Sequence, residues 1–125
     1  MTLVETSLSI SQAAERTGLS THTLRYYERE GLMIGDVDRA SSSHRRYTDA
    51  DLTWVEFLTK LRSTAMPIAK VREYVDLVRV GDDSTADRLA LLLGHRESVI
   101  AQLEEMTHSL AAIDFKIASY RKERC

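Results

Sequence analysis

A single cysteine, a single proline and five glycines are all that this 125-residue chain holds of the residues that staple, break or loop a backbone. With only Cys125, at the extreme end, an intrachain disulfide framework is excluded, and the usage fits a reducing compartment. The glycines form no phosphate-cradling loop, and neither a G-x-S-x-G elbow nor an H-E-x-x-H zinc helix is present. His22, His44, His95 and His108 show no pairing at three or four residues and have no cysteine beside them. Neither catalysis nor a metal or cofactor site is expected. The longest apolar run, Leu89 to Leu93, is far too short to span a bilayer, and Met1 to Leu8 lacks the basic start and apolar stretch of a secretory signal. A cytoplasmic, non-membrane protein is the expectation.

Charge of one sign is also missing. The net charge is −2, which argues weakly against a nucleic-acid partner. Residues 81–125 hold six Lys/Arg against eight Asp/Glu, leaving eleven of each in residues 1–80. The useful asymmetry is local: RASSSHRRY, from Arg39 to Tyr47, has three arginines and no acid, a cationic loop able to lie along phosphate.

What is present begins with ISQAAERTGLSTHTLRYYEREG, Ile10 to Gly31. Ile10, Ala13, Ala14 and Thr17 make a helical stripe, and Gly18 supplies the left-handed residue that closes the helix. Ser20 is placed to cap a second helix from Thr21 to about Glu30 by accepting from the N–H of His22 or Thr23, and Gly31 stops it. Small Ala14 lets the two backbones approach. Two helices this close cross steeply, which is helix-turn-helix geometry. In such a unit the second helix enters a major groove, with its early residues nearest the bases. Ser20, Thr21, His22, Thr23, Arg25, Tyr26, Tyr27 and Arg29 are the candidate contacts. Because successive helical residues diverge by about 100°, Tyr26 and Tyr27 cannot both be core, and Tyr26 is expected outward with Tyr27 partly packed.

After Gly31, Leu32-Met33-Ile34 and His44 to Tyr47 read as the arms of a hairpin or wing around a serine-rich tip, with Arg45, Arg46 and Tyr47 as phosphate clamps. Thr48 and Asp51 have capping-box spacing and open a third helix carrying Leu52, Trp54, Val55, Phe57, Leu58 and Leu61. Lys60 and Arg62 on it are expected near the phosphate backbone. Pro67 marks a fourth helix with Ile68, Val71, Tyr74, Val75 and Val78, ending near Gly81.

The final segment is the second strong signal. Ser84-Thr85-Ala86-Asp87 supplies a capping sequence, and apolar residues then alternate at three and four: Leu89, Leu92, Val99, Leu103, Met106, Leu110, Ile113, Ile117 and Tyr120. Arg96 is the exception in this a/d seam. A helix from Ser84 to Tyr120 is roughly 54 Å long, whereas a globule of this chain length has a radius of gyration near 14 Å. The helix therefore cannot fold back fully onto its own domain, and its stripe needs a partner, most simply a second copy. Gly94 is a candidate break, since glycine costs about 1 kcal/mol inside a helix.

The run TLRYYEREGL, preceded by SISQAAERTGLS and followed by RRYTDADL, resembles the MerR family of bacterial transcription regulators, most specifically at Leu24, Arg25, Tyr26, Tyr27, Glu28, Gly31, Leu32, Arg46 and Tyr47. The family usually places a proline soon after the Gly-Leu pair and a glycine before Arg-x-Tyr, where this chain has Gly35 and Ser43. AMPIAKVREYVDLVRVGDD and IDFKIASYR are similar to the small NmlR-like, aldehyde- and thiol-stress-responsive branch. The resemblance implies a mainly helical fold: a winged helix-turn-helix over residues 1–80, with helix-turn-helix about 10–29 and wing about 32–47, then a coiled-coil dimerisation helix over 81–125, paired antiparallel. It implies a homodimer on double-stranded promoter DNA that bends and untwists the promoter spacer for RNA polymerase, any small effector binding near the junction of the two parts. Cysteine-based metal or electrophile triggers of relatives have no counterpart beyond Cys125. Two rivals stand beside this reading: an architectural DNA-binding protein of the excisionase kind, and a coiled-coil adaptor whose helix-turn-helix binds protein.

Overall fold

A computed structural model describes residues 7–34, 38–39 and 45–123. The chain divides into two units, Met1–Arg88 and Leu89–Cys125. The first carries β1 (Leu8–Ser9), α1 (Ile10–Thr17), α2 (Thr21–Arg29), β2 (Asp38–Arg39), β3 (Arg45–Tyr47), α3 (Asp49–Ser63), α4 (Ile68–Val80), a 3-10 turn at Asp82–Ser84 and the start of α5 (Thr85–Glu123). Most of the second unit is α5.

Local signals set the helix ends. Ser9 caps α1 by accepting from the Gln12 N–H at 3.2 Å, while Gln12 accepts from the Ser9 N–H, a reciprocal box the sequence reading passed over. Gly18 (φ 74°) closes the helix, its N–H donating to Ala14 at 2.9 Å. Ser20 caps α2 through the Thr23 N–H at 3.0 Å. At the other end, the Gly31 N–H donates to Glu28 and the Leu32 N–H to Tyr27, the crossed pair of a Schellman motif with Gly31 at φ 72°. The Thr48/Asp51 box opens α3, and Pro67 precedes α4. The end of α3 repeats the Schellman pair, Ala65 to Arg62 and Met66 to Leu61, but with alanine in the left-handed position at φ 72°.

The core of this unit is made by α2, the turn after it, β3, α3 and α4. Leu24, Leu32, Tyr47, Val55, Leu58, Met66, Val71 and Val75 are nearly or fully inaccessible. Ala13, rather than Ala14, is the small residue buried completely on α1. Trp54 stacks on Tyr74 (ring centroids 6.0 Å apart, 15° between planes), and Phe57 meets the same ring tilted by 55° with centroids 5.7 Å apart.

Four expectations are corrected. Leu32-Met33-Ile34 is not a strand: Leu32 and Met33 plug the core, and β2, at Asp38–Arg39, is the outer arm of the wing. β3 is the centre of a three-stranded antiparallel sheet rather than one arm of a two-stranded hairpin, pairing Arg39↔Arg45 on one side and Leu8↔Tyr47 on the other, so the residues just ahead of α1 supply an edge strand. Ser84 does not cap α5; its hydroxyl donates backward to the carbonyls of Leu77 and Gly81. Gly94 does not break α5, which runs unbroken for 39 residues, about 58 Å. Gly35, Ser43, His44 and Cys125 lie outside the described residues, as does the Arg45 side chain. Among the described residues no helix is long and apolar enough to cross a membrane.

Candidate nucleic-acid interface

The second helix separates its residues by direction. Leu24 and Tyr27 point inward, fully and almost fully buried. His22, Arg25 and Arg29 are exposed, and Tyr26 is half-buried on the same outward side. At about 100° per residue these four fall within a sector of about 100°, opposite the Leu24/Tyr27 direction. The outward face thus carries two guanidiniums, an imidazole and a phenol, all able to donate hydrogen bonds. Ser20, Thr21 and Thr23 stand at its start. The Ser20 and Thr23 hydroxyls lie 2.9 Å apart, so one side-chain pair both caps the helix and fixes the geometry of its first turn. The positive dipole end of α2 lies beside these hydroxyls, and a terminus of this kind suits an anionic oxygen.

Two of the expected contact residues are core instead. The Tyr27 hydroxyl lies 3.3 Å from Thr59 Oγ1. Thr59 donates its own proton to the Val55 carbonyl, so Tyr27 is the donor. Tyr47 is wholly inaccessible and donates to Glu28 Oε2 at 3.3 Å. Both rings serve to lock α2 onto α3 and β3, and neither presents a surface to a ligand. Arg46 is half-buried, with Nε donating to Ser7 Oγ at 3.2 Å and a terminal nitrogen to the Ser7 carbonyl at 2.8 Å. Its guanidinium therefore braces β1 against β3. Lys60 is exposed on α3, while Arg62 turns back to the Met66 carbonyl at 2.7 Å and closes the α3–α4 turn.

The residues that aim α2 were not among the candidates. Trp54 Nε1 donates to the Leu32 carbonyl at 2.8 Å. Arg72 pairs with Glu30 at 2.8 Å, and Arg79 donates to the carbonyls of Gly31 (2.7 Å) and Met33. Three side chains from α3 and α4 thus hold the four residues that follow α2. No spacing in the sequence announces such tethers, since the partners are 22 to 48 residues apart.

Residues 8–77 match the family described as MerR HTH family regulatory protein. The chain belongs to the MerR family. It is 34% identical over 114 residues to an HTH-type transcriptional regulator of Haemophilus influenzae, covering 91% of this chain and 84% of that protein. It is 32% identical to the HTH-type regulator YyaN of Bacillus subtilis, covering 90% and 89%. Among solved structures it is similar to HiNmlR, a MerR family regulator lacking the sensor domain, bound to promoter DNA: TM-score 0.87, 33% identity, 93% of this chain and 87% of that one. The NmlR-like resemblance read from the sequence agrees with that match. This MerR protein is a DNA-binding transcription regulator with a winged helix-turn-helix and a long C-terminal helix.

Proposed function

We propose that two copies pair through α5 and present their α2 helices to two major-groove segments of one promoter, Arg25, Arg29, Tyr26 and His22 meeting the DNA and the start of α2 meeting a phosphate. The observation that carries this is the division of α2: the buried Leu24/Tyr27 side fixes the helix, leaving a donor-rich side whose Arg25 and Arg29 make no hydrogen bond or ion pair among the described residues. The need for a second copy is supported by the stripe on α5. Leu103, Met106, Leu110, Ile113 and Tyr120 are each more than half exposed, far more apolar surface than an isolated helix leaves in water. Two-fold pairing sets two recognition helices at a fixed spacing, as a paired site requires.

Such a dimer acts by deforming the spacer between promoter elements, so that RNA polymerase engages both. Bending or untwisting DNA costs several kcal/mol, and a protein state that changes this cost changes promoter output. HiNmlR's complex with promoter DNA supports carrying this reading to the present chain. The test begins by footprinting the purified protein to define its operator, then compares wild type with Arg25→Ala. Loss of one base contact costs about 1–3 kcal/mol, a roughly 5- to 150-fold weaker operator complex. Unchanged operator affinity in a folded Arg25→Ala dimer refutes the reading and leaves a protein-binding adaptor in its place.

A further inference from the structure

We propose that Arg96 forms an ion pair with Asp114 of a second copy, and that the two symmetry-related pairs fix the α5 helices antiparallel and in one register. This rests on the dimer reading above. Because α5 is unbroken through Gly94, its heptads keep phase along the whole stripe: Leu89, Arg96, Leu103, Leu110 and Ile117 occupy one seam position (a), and Leu92, Val99, Met106, Ile113 and Tyr120 the other (d). Arg96 is thus a lone cation in an otherwise apolar seam. Arg96 and Asp114 are both exposed, and neither makes a hydrogen bond or ion pair among the described residues.

In an antiparallel pair each a residue faces a d residue of the other helix. The register that uses the entire stripe sets Leu89 against Tyr120 of the second copy, Leu103 against Met106, and Arg96 against Ile113. Asp114 follows Ile113 at the adjoining flank position (e), and in antiparallel packing the a residues lie on the flank where the two e rows meet. Arg96 is therefore brought beside a carboxylate. Sliding by one heptad in one direction sets Arg96 beside Arg121, and in the other beside neutral Thr107. Parallel pairing is worse, since it stacks Arg96 on Arg96 and places Lys116 beside Arg121. Charge complementarity thus selects one direction and one register out of those the apolar stripe alone permits, the usual role of a polar seam residue with charged flanks.

The test uses the full chain with Cys125→Ser. Chains carrying Leu89→Cys are mixed with chains carrying Tyr120→Cys under oxidising conditions, because a disulfide demands Cα atoms within about 7 Å. The expected result is cross-linking in the mixture and none in either variant alone; self-linked Leu89→Cys or Tyr120→Cys, or a mixture that does not link, overturns the proposal. Separately, Arg96→Glu or Asp114→Arg alone should raise the dimer dissociation constant about tenfold or more, as symmetry turns two attractions into two repulsions. The double variant should return to within about threefold of wild type. Weakened single variants without recovery in the double also overturn it. A wild-type chain that sediments as a monomer instead refutes the dimer reading itself, so the two failures are told apart.

Discussion

Ala65→Gly should stabilise the protein, although it removes a methyl group and frees the unfolded chain. Ala65 sits at φ 72° in the Schellman turn that ends α3, the same backbone position that glycine fills at Gly31 (φ 72°), and a conformation it shares with Gly18 (φ 74°). A left-handed L-residue costs roughly 1–2 kcal/mol. Glycine returns about 0.4–1 kcal/mol of that through the extra freedom it gives the unfolded chain. Ala65 is exposed, so its methyl group contributes little burial. The net gain is about 0.5–1 kcal/mol, a rise of roughly 3–6 °C in the melting temperature of a unit this size. The mirror experiment is built into the chain, because a Cβ added at Gly18 or Gly31 meets nothing within 4 Å. Gly18→Ala and Gly31→Ala should therefore lose what Ala65→Gly gains, through backbone conformation alone. Thermal melts followed by circular dichroism at one fixed protein concentration measure all three, with concentration held because association shifts the midpoint. An Ala65→Gly variant that melts below wild type, beside glycine variants that melt unchanged, would refute the reasoning.

Tyr47→Phe removes the hydroxyl that donates to Glu28 and should cost about 1–2 kcal/mol in urea unfolding while leaving operator affinity unaltered per folded molecule; a loss of affinity at full folding would return Tyr47 to the DNA contacts. Arg79→Met keeps the aliphatic stem but deletes both hydrogen bonds to the turn after α2, and should weaken operator binding at least about threefold in a gel-shift titration while unfolding changes by only about 1 kcal/mol; equal affinity would mean that α2 is aimed without it. Gly94 lies on the outermost heptad position, so Gly94→Ala should strengthen α5 by about 1 kcal/mol per chain, read as a higher melting temperature of the C-terminal transition. No change there would place Gly94 against something the helix packs on.

The legible parts of this fold are those whose causes are local. Gly18, Ser20, Gly31, the Thr48/Asp51 box and Pro67 each act within four residues of themselves, and each marks a helix end where the sequence places it. The long C-terminal helix is equally readable, because its period of three and four repeats over more than thirty residues of one element. Leu32-Met33-Ile34 was misread for want of period: three apolar residues fit a strand or a plug equally well, and only α3 and α4 decide between them. The alanine in a glycine position at Ala65 was invisible for the opposite reason, since propensity argues against it and tertiary packing of Met66 overrides propensity.

The same distinction governs the interface. Which residues of α2 face outward follows from helical geometry once one inward residue is known, and Leu24 supplied it. Tyr26 and Tyr27 then separate, one to each side. For Tyr47 no such anchor existed, because a three-residue strand offers two faces and Arg46 and Tyr47 alternate between them without saying which is solvent. The answer came from Glu28, nineteen residues away, whose carboxylate accepts the Tyr47 hydroxyl and so draws the ring inward. On the proposed reading, recognition chemistry lies along α2 itself, while the direction in which α2 points is set by Trp54, Arg72 and Arg79, none of them on that helix. It follows that substitutions at those three positions should alter how well the operator is bound without altering which operator is chosen, whereas substitutions at Arg25, Tyr26 or Arg29 should alter the choice. Selection of preferred sites from randomised DNA by Arg79→Met and by Arg25→Ala separates the two classes: a changed consensus for Arg79→Met would mean that aiming and reading are not divided in this way.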